Sequence, residues 1–557
     1  MGMTYQTMVD ALWRSHRKTK NLLFFSKTDV HDPGTKQAQT QESPSESPAS
    51  SNGNKPENTQ SYSRAQLTGL ILGPLLFLLT ILLFTPETLS REGQMVLATT
   101  LWVATWWITE AIPIPAASLL PIILLPLTGA LDGSTVTSSY GDPIVFLFLG
   151  GFMIALAMER WGLHKRIALN IISVVGTSTN NIILGFMIAT GFLSMWVSNT
   201  AAVMMMVPIA TAITYQVSQS LKNSPKDYSL EEEKFSKALL FSVGYAGTIG
   251  GLGTLIGTPP NLLLAGIVNE LYGIQISFAM WLLYAAPVVV VLLLSTWLYL
   301  TKIAHPIKLK QLPGGKELIQ SEKRKLGVIS YEEVAVLCVF VFAAFMWITR
   351  TFLWENENFF VIPGINDTMI AITAGVILFL IPSKKKIGRI LDWTVAKDIP
   401  WGILLLFGGG LAIAAGFRET GLATWIGEQL TILEGVNFIL MILITAALVL
   451  FLTEITSNTA TATMILPVLA SLALAINVHP YALMVPAAMA ANCAFMLPVG
   501  TPPNAIIFAT GKLKIIEMVK NGFWVNIFCV LLITAAVYLL LPVVFGIDLT
   551  IFPDEFR

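Results

Sequence analysis

The chain has 557 residues, of which 54% are hydrophobic and 12% are charged, and its formal net charge is zero. Because an average soluble domain carries about 25% charged residues, this composition predicts an integral membrane protein with room for ten or more spans of about 20 residues each. Nothing in the charge indicates nucleic acid as a partner. The three cysteines lie far apart in apolar sequence, which argues against a disulfide framework or a metal cluster and predicts packing residues: Cys338, Cys493 and Cys529.

Residues 1–64 form a polar tail with a centre rich in Ser, Pro, Gln and Asn. Such a composition cannot bury enough apolar surface to order itself, so we predict a disordered tail. The tail lacks the pattern of a secretory signal, so the first apolar span is expected to stay in the mature protein.

Apolar segments follow the tail in two series that share one plan. The first series has segments near 66–85, 93–112, 114–130 and 144–177, two arms around Ser198-Asn199-Thr200, a run broken at Gly257-Thr258, and spans near 277–301, 332–352 and 367–382. The second has a run near 399–432, two arms around Ser457-Asn458-Thr459, a run broken at Gly500-Thr501, and a last span near 522–543. We refer to the two Ser-Asn-Thr sequences as the first and second triplets.

Landmarks of the two series recur at fixed offsets. Asn199 and Asn458 are 259 residues apart by subtraction of their numbers, as are Ser194 and Thr453. The sequence Gly-Thr-Pro-Pro-Asn at 257–261 returns at 500–504 with an offset of 243, and the difference of 16 matches a polar insertion at 223–238. The two halves therefore derive from one duplicated unit.

Lys and Arg predict the orientation. The tail and the loops at 302–325, 384–397 and 512–520 are basic, whereas residues 353–368 contain no Lys or Arg. By the positive-inside rule the basic segments are cytoplasmic and the acidic loop is external. An odd number of spans would place the C-terminus outside.

A single Ser-Asn-Thr sequence in a membrane run ordinarily packs helices closely, but its recurrence at one offset favours a different role. Ser, Asn and Thr are strong N-cap residues, so each triplet can end one short helix and start the next, at the tip of a hairpin that enters the bilayer and turns back. Backbone that is not helical at that depth is tolerated only where it is buried in protein or lines a cavity.

The Gly-Thr-Pro-Pro sequences predict two further helix starts. Thr258 would cap a helix with Pro259 at its first position, after an unusual turn at Gly257, and the second copy repeats this with Gly500, Thr501 and Pro502. The alternative is a proline that only bends a helix. Four helix starts near mid-membrane would present free N–H groups and about half a positive charge each, which suits an anion with two carboxylates.

Coupled cations could neutralise such an anion, because no Lys or Arg lies near either triplet. Ser194 lies four residues before Ser198, and Thr453 four before Ser457, so each pair shares one helical face. Hydroxyl groups, Asn carbonyls and the open main-chain carbonyls of 253–257 and 498–500 are hard oxygen ligands, which suit sodium better than a transition metal.

Other intramembrane charges are less informative. The pairs Glu159-Arg160 and Arg418-Glu419 occupy equivalent repeat positions in swapped order, and we interpret them as structural ion pairs. Glu110 and Glu454 each occur in one repeat only. Glu454 follows a candidate sodium ligand, so it is kept as a residue that could act near that site.

Both triplets, both Thr-Pro-Pro sequences and the stretch from Trp107 to Pro115 (WITEAIPIP) resemble the divalent anion/sodium symporter family, most closely its bacterial sodium/dicarboxylate symporters, over about residues 66–547. The resemblance implies an all-α integral membrane protein with two inverted repeats, re-entrant helical hairpins and discontinuous transmembrane helices. It further implies an elevator-type homodimer in which a scaffold holds the dimer contact and a transport domain carries the substrate.

The same resemblance implies a division of the chain and the roles of its residues. The segments are a cytoplasmic tail at 1–64, scaffold spans at 65–132, transport elements of the first repeat at 133–302, scaffold spans and cytoplasmic loops at 303–398, transport elements of the second repeat at 399–547 and a short external C-terminus at 548–557. One sodium site would use Ser194, Ser198, Asn199 and Gly257, and the other Thr453, Ser457, Asn458 and Gly500. The substrate carboxylates would meet Asn199, Thr200, Thr258 and Pro259 from one repeat and Asn458, Thr459, Thr501 and Pro502 from the other.

We therefore predict a plasma-membrane symporter that imports C4-dicarboxylates such as succinate, malate and fumarate with sodium as the coupling ion and no organic cofactor. The open alternatives are a sodium-independent dicarboxylate exchanger and a citrate or sulfate carrier of the same fold. An intramembrane enzyme is disfavoured because the sequence holds no Gly-x-Ser-Gly, Gly-x-Gly-Asp or His-Glu-x-x-His. A channel is disfavoured because inverted repeats with midplane breaks suit alternating access.

Overall fold

The computed structural model describes residues 62–556 apart from 177, 223–227, 309–314, 356–360, 386 and 432–434. The predicted disorder of the tail falls almost wholly outside the described residues, as does part of the predicted polar insertion. The described residues form helices joined by short loops and contain no β-strand beyond one isolated bridge. The prediction of an all-α chain is confirmed.

Five helices precede the first repeat. They are α1 (Arg64–Leu83), α2 (Arg91–Thr109), α3 (Ile114–Ala117), α4 (Leu120–Leu127) and α5 (Gly133–Tyr140). Ser63 begins α1 with a capping box, and the Ser90 hydroxyl caps α2. The segment predicted as one span at 114–130 is two short helices, and proline stands in the first turn of each.

Each repeat consists of six helices in the same order. The first repeat has α6 (Pro143–Arg160), α7 (Leu163–Val175), α8 (Thr179–Ser194), α9 (Asn199–Lys222), α10 (Ser229–Gly251) and α11 (Pro259–Tyr272). Between the repeats lie α12 (Phe278–Leu298), α13 (Gly315–Lys325), α14 (Tyr331–Thr349), α15 (Asp367–Leu380) and α16 (Trp393–Ala396), and α12 and α14 end in the π-helical turns Tyr299–Ala304 and Arg350–Trp354. The second repeat has α17 (Trp401–Glu419), α18 (Leu422–Leu430), α19 (Phe438–Thr453), α20 (Asn458–Ala475), α21 (Tyr481–Asn492) and α22 (Pro502–Ala509), and the chain continues with α23 (Ile515–Leu539) and α24 (Leu541–Phe545).

The runs predicted as continuous at 144–177 and 399–432 are each divided into two helices at a glycine. Gly162 and Gly421 occupy equivalent repeat positions and adopt the left-handed conformation, with φ of 70° and 71°. Only glycine takes this conformation without steric cost, so each run turns sharply here. The helices that follow, α7 and α18, are short, with 13 and 9 residues.

Within the described residues, eight helical segments are long and apolar enough to cross a membrane. The descending hairpin arms α8 and α19 are not among them, because each has 16 residues. At about 1.5 Å per residue such a helix is about 24 Å long, shorter than a hydrocarbon core of about 30 Å. This length is what an arm that turns back inside the bilayer requires.

Of the two predicted ion pairs, Arg418–Glu419 is confirmed, whereas Arg160 pairs with Asp392 in place of its neighbour Glu159. Arg160 pairs with Asp392 at 2.6 Å, and Arg418 pairs with Glu270 at 3.1 Å and with its neighbour Glu419 at 2.7 Å.

The cysteines differ among themselves, since Cys338 is exposed whereas Cys493 and Cys529 are buried free thiols whose side chains meet in the core. Cys493 and Cys529 are therefore far apart in the sequence but adjacent in the structure.

Candidate functional site

A cavity of about 470 Å³ lies where the two triplets and the two Gly-Thr-Pro-Pro sequences meet. All eight residues predicted to contact substrate line it: Asn199, Thr200, Thr258, Pro259, Asn458, Thr459, Thr501 and Pro502. Of the residues predicted to bind sodium, Ser194 and Thr453 do not line the cavity but are fully buried behind it. The other six line it: Ser198, Asn199, Gly257, Ser457, Asn458 and Gly500.

Each triplet stands at the tip of a helical hairpin, as the capping pattern predicts. α8 ends at Ser194 and α9 begins at Asn199, and the Ser198 hydroxyl accepts a hydrogen bond from the Ala201 N–H at 3.2 Å. In the second repeat Ser457 occupies the same N-cap position, but its side chain makes no capping hydrogen bond. The two hairpin tips therefore differ in this side-chain cap.

Two helix breaks face the tips. The first break, residues 252–258, separates α10 from α11, and the second break, residues 493–501, separates α21 from α22. Thr501 caps α22 through a hydrogen bond from the Asn504 N–H at 3.4 Å. The prediction that the Thr258 hydroxyl caps α11 is wrong, because this hydroxyl donates instead to the amide oxygen of Asn492 at 2.6 Å.

The final Asn of each Gly-Thr-Pro-Pro-Asn sequence holds its break in shape. Asn261 donates to the carbonyl oxygens of Gly251 and Leu252, both at 3.2 Å, and of Thr254 at 2.8 Å. Asn504 donates to the carbonyl oxygens of Ala494 at 2.9 Å and Leu497 at 3.0 Å. These amides satisfy carbonyls that have lost their helical donors.

Oxygen atoms converge behind the first triplet. The Ser194 hydroxyl lies 2.6 Å from the side-chain amide of Asn199 and also within hydrogen-bond distance of the Gly247 carbonyl. The same end of the Asn199 amide lies 3.3 Å from the Gly247 carbonyl oxygen and 3.2 Å from that of Gly257. We call these four groups the first oxygen cluster. With the amide oxygen of Asn199 at this end, four oxygens share the single proton of Ser194, whereas the amide nitrogen at this end would donate to the other three groups.

The second triplet has an equivalent arrangement. The Thr453 hydroxyl lies 2.7 Å from Asn458 Oδ1 and 2.8 Å from the carbonyl oxygen of Ala491. A hydroxyl has one proton to donate, so one of these two oxygen pairs has no hydrogen between its atoms. We call these three groups the second oxygen cluster. Converging hydroxyl, carboxamide and carbonyl oxygens are the ligand set that hard cations prefer.

Asn492 is the site residue that the sequence analysis missed. Its side chain is fully buried and lines the cavity. Its amide oxygen accepts from Thr258 at 2.6 Å and from Asn199 at 3.3 Å, and its amide nitrogen donates to the Thr248 carbonyl at 2.7 Å. The available signal was a lone Asn within an apolar, alanine-rich stretch of sequence, where a polar side chain needs partners from other helices.

Glu454 lies beside the second break. Its buried carboxylate accepts hydrogen bonds from the consecutive N–H groups of Phe495, Met496 and Leu497 at 2.7, 2.9 and 3.1 Å, and from Asn526 at 2.7 Å. A Cβ added at Gly500 would lie 3.0 Å from its Oε2 atom. The carboxylate therefore fixes the backbone next to the second oxygen cluster and brings a negative charge close to it.

The cavity offers an anion no fixed positive side chain. Among the described residues that line it there is no Lys or Arg, and its charged lining residue is the acid Glu110. Four helices nevertheless begin at lining residues, namely α9, α11, α20 and α22. The free N–H groups of these helix starts can bind carboxylates, but the net charge of a dianion has to be met by mobile cations.

Comparison with known proteins agrees with this geometry. The sequence profile described as "Sodium:sulfate symporter transmembrane region" matches residues 64–547. A protein of Staphylococcus saprophyticus named "Sodium-dependent dicarboxylate transporter SdcS" is 58% identical over 499 residues, which cover 89% of this chain and 95% of that protein. A protein of the same name from Staphylococcus aureus is 56% identical over 500 residues, with the same coverage.

Solved structures share the fold at low identity. MtrF of Neisseria gonorrhoeae, described with a class of antimetabolite efflux pumps, superposes with a TM-score of 0.53 at 14% identity and covers 87% of this chain and 96% of its own. The YdaH transporter of Alcanivorax borkumensis superposes with a TM-score of 0.56 at 12% identity and covers 86% and 98%. At these identities the likeness concerns the architecture alone.

Proposed function

This chain belongs to the sodium:sulfate symporter family, and we propose that it is a sodium-coupled symporter that imports C4-dicarboxylates such as succinate, malate and fumarate across the plasma membrane. The names of the relatives from two staphylococci support the choice of sodium and of dicarboxylates. The observation that carries the proposal is the pair of oxygen clusters, one behind each triplet, on either side of one cavity without Lys or Arg.

The two clusters are our proposed sodium sites. The first would use Ser194, Ser198, Asn199 and Gly257, and the second Thr453, Ser457, Asn458 and Gly500. Two carbonyls that the sequence did not indicate join them, Gly247 in the first and Ala491 in the second. In the second cluster two oxygens compete for one hydroxyl proton, and the first cluster has the same excess of lone pairs when the Asn199 amide oxygen faces inward; a bound cation would remove this repulsion.

A dianion would bind between the two clusters. The proposed contacts are Asn199, Thr200, Thr258 and Pro259 on one side and Asn458, Thr459, Thr501 and Pro502 on the other. Asn199 and Asn458 belong to both sets because a carboxamide can give its oxygen to a cation and its N–H groups to a carboxylate. Sodium binding would therefore order each tip and create the anion site, so that the dianion binds after the cations.

Alternating access is supported by the number of helices between the two tips. The proposed topology places five crossings between them, namely the broken pair of α10 and α11 followed by α12, α14, α15 and α17, of which α15 has 14 residues. An odd number of crossings brings the second tip in from the opposite face, as inverted repeats require. With the tail and the basic loops cytoplasmic, the C-terminus would be external.

We further propose an elevator mechanism within a homodimer, with one change to the division expected from sequence. α6 packs so closely on α15 that a Cβ added at Gly150 would lie 2.5 Å from the backbone of Ala371, and one added at Gly409 of α17 would lie 2.6 Å from the Ser118 carbonyl oxygen. We therefore assign α6 and α17 to the scaffold. The moving part would consist of the hairpins, the broken helices, α12 and α23. We include α12 because its Trp281 donates to the Leu252 carbonyl of the first break, and α23 because its Asn526 donates to Glu454, which holds the second break.

The direct test is uptake of radiolabelled succinate into proteoliposomes that contain the purified chain. We expect uptake with an inward sodium gradient and none with an equal potassium gradient. Asn199→Ala and Asn458→Ala should each abolish it, while empty liposomes control for leakage. Uptake that ignores sodium but needs dicarboxylate inside the vesicle would identify an exchanger and contradict the proposal. Competition by citrate and sulfate, measured in the same vesicles, separates the remaining carriers of this fold.

A further inference from the structure

Asn492 has an orientation that its neighbours determine. Its amide nitrogen lies 2.7 Å from the carbonyl oxygen of Thr248, which can only accept a hydrogen bond. Its amide oxygen lies 2.6 Å from the Thr258 hydroxyl, which can donate. Reversing the amide would set oxygen against oxygen at Thr248 and lose the hydrogen bond there. The oxygen of Asn492 therefore points towards Thr258 and the first triplet.

This orientation determines that of Asn199. One end of the Asn199 amide lies 3.3 Å from the oxygen of Asn492, and the other end lies among Ser194, Gly247 and Gly257. A nitrogen at the first end donates to Asn492, whereas an oxygen there would face the oxygen of Asn492. The Asn199 nitrogen could instead turn towards Ser194 and the Gly247 and Gly257 carbonyls, where three hydrogen bonds are open to it, but its oxygen would then face that of Asn492. The contact with Asn492 opposes this turn and so favours the state that a bound cation needs, in which the Asn199 oxygen completes the first oxygen cluster.

Asn492 also contacts the second triplet, which belongs to its own repeat. Its main-chain oxygen accepts from the side-chain nitrogen of Asn458 at 3.4 Å, and the preceding carbonyl, that of Ala491, belongs to the second oxygen cluster. At the repeat offset of 243, the counterpart of Asn492 is Ile249, which has no polar side chain. One residue, present in one repeat only, therefore touches the Asn of both triplets.

We propose that Asn492 is a positioning residue that holds Asn199 ready to bind sodium and couples the first oxygen cluster to the second. The inference rests on the proposed function, since it takes the clusters as sodium sites. A cation that draws the Asn458 oxygen into the second cluster turns the Asn458 nitrogen towards the Asn492 main chain. This hydrogen bond fixes the main chain at Asn492 and so stabilises the contacts of its side chain with Thr258 and Asn199. Sodium bound at the second cluster would therefore raise the affinity of the first for sodium.

The test compares Asn492→Leu with Asn492→Asp. Leucine has a similar volume but accepts no hydrogen bond, whereas aspartate keeps an acceptor for Asn199 and Thr258 and gives up only the donor to Thr248. For Asn492→Leu we expect the sodium concentration at half-maximal succinate uptake to rise about three- to tenfold, the effect of losing one buried hydrogen bond, and the Hill coefficient for sodium to fall towards one. Asn492→Asp should regain a large part of the sodium affinity.

Cys493→Ala is the matched control. It alters the next residue, whose side chain meets Cys529 and neither cluster, and it should keep the wild-type sodium dependence. A second readout does not depend on transport: the thermal unfolding temperature of the purified chain is followed as sodium replaces potassium. Asn492→Leu should need several-fold more sodium for the same increase.

The outcomes separate the inference from its premise. Wild-type values for the sodium midpoint and Hill coefficient in Asn492→Leu would overturn the role of Asn492, and so would lower uptake with an unchanged sodium midpoint in the unfolding assay. A wild-type chain that shows no sodium dependence in either assay would overturn the proposed function itself, and the coupling role with it.

Discussion

The two helix breaks have the same motif but are held by different chemistry. In the first repeat, Thr254 donates to the Met195 carbonyl and the Trp281 indole donates to the Leu252 carbonyl at 3.1 Å. In the second repeat, the carboxylate of Glu454 accepts from three consecutive N–H groups. Glu454 is the counterpart of Met195 at the offset of 259. The first break is therefore held by neutral groups, with the Thr254 hydroxyl as donor and the Leu252 carbonyl as acceptor, and the second is held at its N–H groups by a buried charge.

The packing behind the breaks differs in the same way. In the first repeat α8 and α10 approach so closely that a Cβ added at Gly250 would overlap the carbonyl oxygen of Gly191. The counterpart of Gly250 at the offset of 243 is Cys493, a buried thiol that meets Cys529. The common features of the two repeats are thus the oxygen clusters, the helix starts and the amides of Asn261 and Asn504 that brace the breaks. The surrounding contacts diverged after duplication.

The largest expected effect concerns what the repeats share. Asn199→Ala and Asn458→Ala each remove both an oxygen for a cation and N–H groups for a carboxylate. We expect each to lower the initial rate of sodium-dependent succinate uptake by about 100-fold or more, which corresponds to about 3 kcal/mol or two strong hydrogen bonds. Wild-type-like uptake by either variant would show that only one repeat forms the site.

The close packing of the first repeat gives the next effect. Gly250→Ala places a methyl group against backbone that has no freedom to move, and overpacking of this kind costs about 1–3 kcal/mol or more. Cys493→Ala at the equivalent position only removes a sulfur atom and should cost about 1 kcal/mol. Thermal unfolding of the two purified variants in detergent measures the difference. Equal unfolding temperatures would mean that the repeats pack alike.

The brace of the second break can be tested by Glu454→Gln. The glutamine keeps one acceptor oxygen but sets an NH₂ group against backbone donors, and hydrogen bonds to a charged group contribute about 1.5–3 kcal/mol. We expect destabilisation of about 2–3 kcal/mol and a higher sodium concentration at half-maximal uptake. Met195→Leu, the matched change in the first repeat, should cost less than about 1.5 kcal/mol. If the two variants behave alike, Glu454 does not hold the break.

The smallest effect separates the two threonines of the Thr-Pro-Pro sequences. Thr258→Val loses a 2.6 Å hydrogen bond to Asn492, whereas Thr501→Val loses a 3.4 Å cap. We expect losses of stability of about 1–1.5 kcal/mol for the first and about 0.5–1 kcal/mol for the second. Thr258→Ser, which keeps the hydroxyl, serves as the control and should unfold near the wild-type temperature. A greater loss for Thr501→Val would reverse the comparison.

The site could be predicted from sequence where local rules apply twice. Two kinds of helix start depend only on neighbours in the chain, namely capping by Ser198 and Thr501 and proline in the first turn at Pro259 and Pro502. Their recurrence in both repeats showed that these patterns were not accidental. The same local logic placed Thr258 at a helix start but gave its hydroxyl the wrong partner. The observed partner of the Thr258 hydroxyl, Asn492, lies 234 residues further along the chain.

Asn492 and the role of Glu454 could not be derived in this way. Asn492 has no polar counterpart in the first repeat, so the comparison of repeats passes over it. Glu454 was noticed for its neighbour Thr453, but its hydrogen bonds reach residues 41 to 43 positions away and Asn526 beyond them. The packing of α6 on α15 is likewise a contact between distant segments. Sequence offsets detect what the repeats have in common, whereas these features exist in one repeat only.

The most direct test of the central claim is the number of sodium ions that cross with each succinate. With the membrane potential held at zero, it can be measured in proteoliposomes from the sodium gradient that balances a fixed succinate gradient and gives no net flux. Two oxygen clusters flanking one anion cavity predict at least two sodium ions for each succinate. A ratio of one, or a flux balance that does not depend on sodium, would contradict the account.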